Sequence, residues 1–265
     1  MNNFQIFNKF IRPYEVPHLY KYRSFSSKGI RELFEEQKIF LPSSAKLNDP
    51  FDCHPTANID ESDDDKQNYL MSILLEREPE ASKERIQSFL KQKTETVKNK
   101  AWQQKLLNKN TADIGIYSLS EINDSLLMWP YYSDSHRGFC LEFDSSIIST
   151  LFWGSLKVHY QDDYPTVNLM HMNTFENLMP SVLYKSLDWA HEAERRIVMT
   201  PQEGGVGWYH FPAELLTGVI FGNRIKSTDE KKLLAYIENY PSKIEKYKVE
   251  LTTKKYGINV VPNET

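Results

Sequence analysis

Two glutamates one residue apart, Glu192 and Glu194, come just before an apolar segment, 197–199, that we predict to be a buried strand. Because alternate residues of a strand face the same side of a sheet, we expect both carboxylates to point to one place. Carboxylates beside a core strand are costly unless they are paired with cations or used in chemistry. The pair therefore indicates either a functional site or ion pairs with the adjacent Arg195 and Arg196.

Polar groups on two other predicted strands offer partners for these glutamates. Lys21 and Arg23 share one face of an aromatic strand near the start of the chain. Ser118 and Ser120 share one face at the end of a later strand. A lysine or an arginine can bind a phosphate, and a serine can orient a carboxylate. Within such a pocket, one glutamate can stabilise an oxocarbenium-like sugar and the other can activate a nucleophile.

An aromatic and polar loop contains three further candidates, Trp129, Tyr132 and His136. Its rings can stack on a ligand ring, and the histidine, with an ordinary pKa near 6.5, can shuttle a proton. A packed aromatic corner with a capping histidine explains the same pattern without a ligand. Asn48 and Asp49 lie in a polar turn and complete the set of candidate binding residues.

The elements that must position these groups predict an α+β fold, with a mixed, largely antiparallel sheet flanked by helices. We treat residues 1–265 as a single domain in which the charged, helical segment 60–110 is an insertion. Further helices are predicted at 30–38, 122–128, 181–192 and 227–240. Strands are predicted at 19–23, 39–41, 114–119, 138–143, 155–160, 196–199, 216–221, 247–251 and 258–260.

Composition narrows the class of protein. No apolar run approaches the roughly 20 residues that a membrane span needs, and the N-terminus lacks the pattern of a signal peptide. Cys53 and Cys140 are far apart, which favours free thiols in a reducing compartment, so we expect a cytoplasmic protein. No spaced cluster of Cys and His is present, so we expect no metal site.

Charge is distributed unevenly along the chain. The formal net charge is -4, yet residues 81–110 carry eight Lys or Arg and two Glu, a local net charge of +6. A basic patch of this kind can face an anion such as a nucleic acid, and it can equally be a solvated helix face.

Five segments carry motifs that are specific when taken together: 19–24, 47–52, 118–121, 128–144 and 189–196. These segments are similar to the bacterial family designated DUF2971, and the similarity spans about 19–225 without the segment 60–110. The designation of that family assigns no reaction.

More distantly, the chain resembles the ADP-ribosyltransferase superfamily in the class with an arginine on the first core strand, a Ser-x-Ser and a Glu-x-Glu. The matching positions are Arg23 or Lys21 for the arginine, Ser118 with Ser120 for the Ser-x-Ser, and Glu192 with Glu194 for the Glu-x-Glu. The resemblance implies that Glu194 holds the nicotinamide-side ribose of NAD and that Glu192 supports transfer to an acceptor. It also implies NAD as co-substrate.

In this reading of the resemblance, the phosphates of NAD lie near Arg23 or Lys21 and the nicotinamide lies against Tyr22 or Tyr132. The acceptor is open, and the basic segment 81–110 makes a nucleic acid one candidate. By analogy alone, the setting would be toxin activity or defence against phage.

Two other functions compete with ADP-ribosyl transfer. One is a non-catalytic module that binds a nucleotide or a protein through the aromatic loop and polar turns. The other is a metal-dependent nuclease, because the chain has enough carboxylates for a two-metal site. Those carboxylates are Asp49, Asp52, Glu121, Glu142, Glu192 and Glu194.

Overall fold

An antiparallel arrangement of strands from distant parts of the chain builds the centre of the fold. The structure is a computed structural model and describes residues 16–151, 154–172 and 175–264. Within these ranges the strands are β1 (His18–Arg23), β2 (Lys38–Leu41), β3 (Thr56–Asn58), β4 (Gly115–Ser120), β5 (Phe139–Asp144), β6 (Leu156–Lys157), β7 (His159–Tyr160), β8 (Thr166–Asn168), β9 (Tyr184–Lys185), β10 (Glu194–Met199), β11 (Gly207–His210), β12 (Leu216–Phe221), β13 (Glu245–Leu251) and β14 (Ile258–Pro262).

Helices cover the sheet and form the segment between β3 and β4. Short 3₁₀ turns join several of the elements, and the one that ends at Glu192 matters most for the site. Over the described ranges the α-helices are α1 (Ile30–Glu36), α2 (Asp63–Arg77), α3 (Lys83–Lys98), α4 (Lys100–Thr111), α5 (Met128–Tyr132), α6 (Ser145–Leu151), α7 (Phe175–Leu178), α8 (Pro180–Leu183) and α9 (Ser227–Glu238).

The main sheet of the described chain has eight strands in the order β14-β13-β12-β5-β1-β4-β10-β6. Its pairings are antiparallel except for the parallel pair β12–β13. β1 pairs with β5 along all six of its residues, but its pairing with β4 is limited to Tyr20 and Ser120. β1 and β4 therefore diverge beyond that pair, and a cleft forms between them.

Both faces of the sheet are covered, because residues on alternate sides of β5 enter different apolar clusters. Phe139, Leu141 and Phe143 join the largest cluster, on the side where α1 and α9 pack. Cys140 faces the opposite side and packs with a cluster that includes Tyr22 and Trp129. β5 is therefore buried on both faces and supports β1.

The α+β fold predicted from the sequence is confirmed. The segment 60–110 contains the helices α2, α3 and α4, whose N-terminal amides are capped by the side chains of Ser62, Ser82 and Asn99. These helices share an apolar cluster with Val167 and Leu169. That the segment is an insertion within one domain stays a prediction.

Other predicted elements were wrong around the glutamate pair. The helix expected at 181–192 is replaced by α8, the two-residue strand β9 and a 3₁₀ turn, Leu187–Glu192. The chain changes direction here because Lys185 is turned inward to buried carboxylates, and Ser186 caps the turn by accepting from the amide of Asp188. The strand expected at 155–160 is divided into β6 and β7, which belong to different sheets.

A close backbone contact at Gly138 yields a stability prediction. A Cβ at this position would lie 2.1 Å from the carbonyl oxygen of Arg23, at the end of β1. Gly138→Ala must therefore push β1 and β5 apart, and we expect the free energy of unfolding in urea to fall by about 1–3 kcal/mol. Gly207→Ala is the matched control, since its Cβ would meet nothing closer than 3.9 Å. Equal stability of both variants would contradict the contact.

Candidate functional site

The cleft between the diverging strands β1 and β4 brings together most of the predicted site residues. Its volume is about 270 Å³. We call it the central cleft. The predicted site residues that line it are Lys21, Tyr22, Asn48, Ser118, Ser120, Tyr132, Glu192 and Glu194. The remaining lining residues are Tyr20, Lys46, Leu47, Asp52, Leu119, Met128 and Lys185.

Glu194 is the first residue of β10, and neighbouring side chains bind both oxygens of its carboxylate. Its Oε1 accepts from Nε of Arg196 at 2.7 Å, and its Oε2 accepts from a terminal nitrogen of the same guanidinium at 3.0 Å. Lys185 donates to Oε2 at 3.1 Å, and the hydroxyl of Ser118 bonds the same carboxylate. Burial alone would raise the pKa of Glu194, but the two cations lower it to about 2. This carboxylate is therefore ionised and bound on both of its oxygens.

The carboxylate of Glu192 lies beside that of Glu194, but not because both residues belong to one strand, as the sequence predicted. Glu192 is the last residue of the 3₁₀ turn and not part of the strand, and Ala193 between the glutamates has a left-handed φ of 44°. The two carboxylates converge because both bind Lys185, whose Nζ lies 2.5 Å from Oε2 of Glu192. The other oxygen of Glu192 accepts from the Tyr132 hydroxyl at 2.5 Å. Glu192 thus lies between a cation and a phenol at the cleft wall.

The two glutamates belong to a buried network of charges that also contains Asp52, Lys185 and Arg196. The sequence did not predict this network as a whole. Arg196 donates to Oδ2 of Asp52 at 2.6 Å, and Lys185 lies 3.6 Å from the same oxygen. Burial would lower the pKa of Lys185, but the carboxylates of Glu194, Glu192 and Asp52 raise it above its usual value. We call these five residues the charge network.

The two serines hold different parts of the site. The Ser120 hydroxyl donates to the backbone carbonyl of Glu192 at 2.7 Å and accepts from the amide of Ile122 at 3.2 Å. It therefore fastens the end of β4 to the turn that carries Glu192. Ser118 contacts the carboxylate of Glu194, and its carbonyl accepts from Nζ of Lys21 at 2.6 Å.

Lys21 is the basic residue of β1 that enters the cleft. It is half-buried, and its Nζ lies 4.8 Å from the centre of the Tyr117 ring. Burial, and next the nearby charge of Arg23, lower the pKa of Lys21 to about 8. The amine is therefore much less basic than that of an exposed lysine.

Four predicted site residues do not line the central cleft. Arg23 donates to the carbonyl of Lys28 in the turn before α1. Trp129 is fully buried in the core and donates from its indole nitrogen to a backbone carbonyl, and the ring of His136 stacks on it. Asp49 accepts from the amide of Phe51 and lines a neighbouring groove. In all four, local packing or turn hydrogen bonds determine where the side chain lies.

Two members of the charge network, Asp52 and Lys185, were not assigned to the predicted NAD site, although Asp52 was named among the carboxylates of the nuclease alternative. Asp52 belongs to the same turn as Asn48, so the turn itself was a usable signal. Lys185 fell inside a predicted helix, and nothing in the local pattern singled it out.

Among the residues that the structure describes, the carboxylates of the cleft are paired with cations and are not grouped as metal ligands. Over the described ranges, no group of three or more His, Cys, Asp or Glu is placed to hold a metal. The carboxylates of the cleft are instead bound to Lys185 and Arg196.

No protein-family model, curated protein or solved structure matches the chain. In the described part, no helix has both the length and the apolar character to cross a membrane. Both resemblances noted in the sequence therefore stay predictions.

The charge network makes a prediction for stability. Lys185→Met removes the cation shared by three buried carboxylates, and we expect the free energy of unfolding to fall by about 3–5 kcal/mol. Urea unfolding measures the loss. Adding Glu192→Gln to the same chain should recover part of the stability, because one uncompensated charge is removed.

A matched control for this experiment is Arg85→Met, which breaks an exposed ion pair with Glu78 on the helical segment. It should leave the stability of the chain nearly unchanged. A fall of less than about 1 kcal/mol in the free energy of unfolding for Lys185→Met would contradict the network. Removing a buried cation that balances three carboxylates must destabilise the chain by more than that.

Proposed function

We propose that this chain binds NAD in the central cleft and transfers ADP-ribose to an acceptor after loss of nicotinamide. One observation carries the proposal: a basic residue, a serine and a glutamate from three adjacent strands meet at one cleft. They are Lys21 on β1, Ser118 on β4 and Glu194 on β10, with Glu192 beside them. The chemistry needs an anion-binding group and a carboxylate near a sugar, and these residues supply both.

The size of the cleft favours binding of one end of the dinucleotide. Small-molecule sites usually measure about 300–1,000 Å³. At about 270 Å³, the central cleft suits the nicotinamide ribose, with the remainder of NAD along the mouth. Lys46 and Asn48 are exposed there and can contact the phosphates. The rings of Tyr20, Tyr22 and Tyr132 offer walls against which the nicotinamide can stack.

The hydrogen bonds favour roles for the two glutamates that differ from those implied by the resemblance. Glu194 is bound on both oxygens by Arg196 and Lys185, so it acts as a positioning residue that holds Lys185 in place. Glu192 lines the cleft with one oxygen bonded only to the Tyr132 hydroxyl in the described contacts, a partner that an incoming ribose hydroxyl can replace. We assign to Glu192 the stabilisation of positive charge on the sugar as nicotinamide leaves.

Of the two basic residues that the sequence places on one face of β1, Lys21 lines the cleft, while Arg23 is bonded elsewhere. With a pKa near 8, the amine is mostly protonated at neutral pH and can attract the phosphate nearest the ribose. None of the lining residues comes from the basic segment 81–110. A nucleic acid held by that segment would therefore have to reach the cleft from outside it.

The test is release of nicotinamide from NAD by the purified chain. Wild type should release nicotinamide, and Glu192→Gln should reduce the rate by about 100- to 1,000-fold, because a charge-stabilising group is lost. Glu121→Gln is the matched control: Glu121 pairs with Arg195 at 2.7 Å and does not line the cleft, so its turnover should stay near wild type.

Three outcomes separate the alternatives. Absence of both NAD binding and turnover would overturn the proposal. Binding without turnover would favour the non-catalytic module in its place. Full activity of Glu192→Gln would remove the role assigned to that carboxylate.

A further inference from the structure

Lys21 has the environment of a reactive amine. We propose that its Nζ is a nucleophile that forms a reversible imine with aldehyde-bearing sugar phosphates in the central cleft. The inference concerns a covalent activity of this cleft, and it stands whether or not the chain cleaves NAD.

The contacts of the Lys21 amine support this proposal. Nζ of Lys21 donates to the carbonyl oxygen of Ser118 at 2.6 Å and lies over the ring of Tyr117. Among the described residues, no carboxylate lies within 4.0 Å of this nitrogen, whereas Lys185 in the same cleft is bound by three. The hydrogen bond to a fixed carbonyl orients the amine without neutralising its charge through a counter-ion. Lys21 is therefore the lysine of this cleft that is held in place but not ion-paired.

The surrounding charges leave the amine available in its neutral form. Burial lowers its pKa most, and Arg23 on the same strand lowers it further. Glu194 and Glu192 raise it and Lys185 lowers it, with a net value of about 8. A desolvated lysine beside another cation is the usual setting of an imine-forming lysine. At pH 8 about half of such amines are neutral, against less than about 1% for a lysine of ordinary pKa.

The reaction needs no oxidant or reductant. The neutral amine attacks the aldehyde carbon: a C–N bond forms as the C=O π bond breaks, and one amine proton passes to the oxygen to give a hydroxyl. The hydroxyl then leaves as water with the second amine proton, so the C–O bond breaks and the C=N bond of the imine forms. Addition of water reverses each step and returns the free lysine and the aldehyde.

The cleft fits a sugar phosphate as the aldehyde. A pentose phosphate is a much smaller molecule than a dinucleotide and suits a space of about 270 Å³. Asn48 and Tyr132 line the cleft and can hydrogen-bond sugar hydroxyls, and Lys46 at the exposed mouth can attract the phosphate.

The experiment traps the imine by reduction. The full chain is incubated with ribose 5-phosphate and sodium cyanoborohydride, and the adduct is located by peptide mass mapping. We expect one adduct per chain, on Lys21, with a rate that rises through pH 7–9 around a midpoint near 8. At pH 8 labelling of Lys21 should exceed that of an exposed lysine of ordinary pKa by on the order of 100-fold, the ratio of the two neutral fractions. Lys231 is exposed and serves as the internal comparison.

Variants distinguish a specific site from general glycation. Lys21→Arg should abolish the adduct, Lys231→Arg should leave it unchanged, and Lys46→Arg should slow it a few-fold. Adducts spread over exposed lysines with none on Lys21 would overturn the proposal. Mapping of the wild type decides this even if Lys21→Arg does not fold. Because no NAD is present, the outcome is independent of the nicotinamide-release assay.

Discussion

The central cleft depends on the ion pairs that the Lys185 ammonium makes with three buried carboxylates. Asp52 comes from a turn after β2, Glu192 from a 3₁₀ turn and Glu194 from β10, so one cation joins three segments. Arg196 supplies a second cation to two of these carboxylates. Burying any one of these charges alone would cost several kcal/mol, so the segments are stable mainly in each other's presence.

The charge network forms one wall of the cleft, and the divergence of β1 and β4 forms its opening. β5 is buried on both faces and holds β1 along its length, whereas β4 follows β10 and leaves β1 after a single pair. Glu194, Glu192 and Lys21 all line the opening, but their partners differ. Glu194 is bound on both oxygens by cations, whereas one oxygen of Glu192 is bonded to the Tyr132 hydroxyl and the Lys21 amine is bonded to a backbone carbonyl. We place the proposed chemistry on Glu192 and Lys21.

Much of this arrangement could be predicted from the sequence, and the missing part has a physical cause. Alternation and apolar runs revealed β1, β4, β10 and β12, because strand faces leave a local pattern. The convergence of Glu192 and Glu194 was predicted correctly, but for the wrong reason: a left-handed Ala193 and a shared cation bring them together. Lys185 was not identified because it fell within a predicted helix, whereas a 3₁₀ turn brings its amine back to Glu192 and Glu194. Its third partner, Asp52, is distant in sequence, and no local pattern reports a long-range ion pair.

The measurement that tests the charge network most directly is stability against pH for wild type and Glu194→Gln. The pKa of Glu194 is lowered from 4.5 to about 2 in the folded chain, so its contribution is present above about pH 4.5 and is lost as the pH falls toward 2. In that window the free energy of unfolding of wild type should depend on pH more steeply than that of the variant, by up to about 1.4 kcal/mol per pH unit. Parallel curves for the two chains would contradict the account, because they would mean that Glu194 is not held as an ion by Arg196 and Lys185.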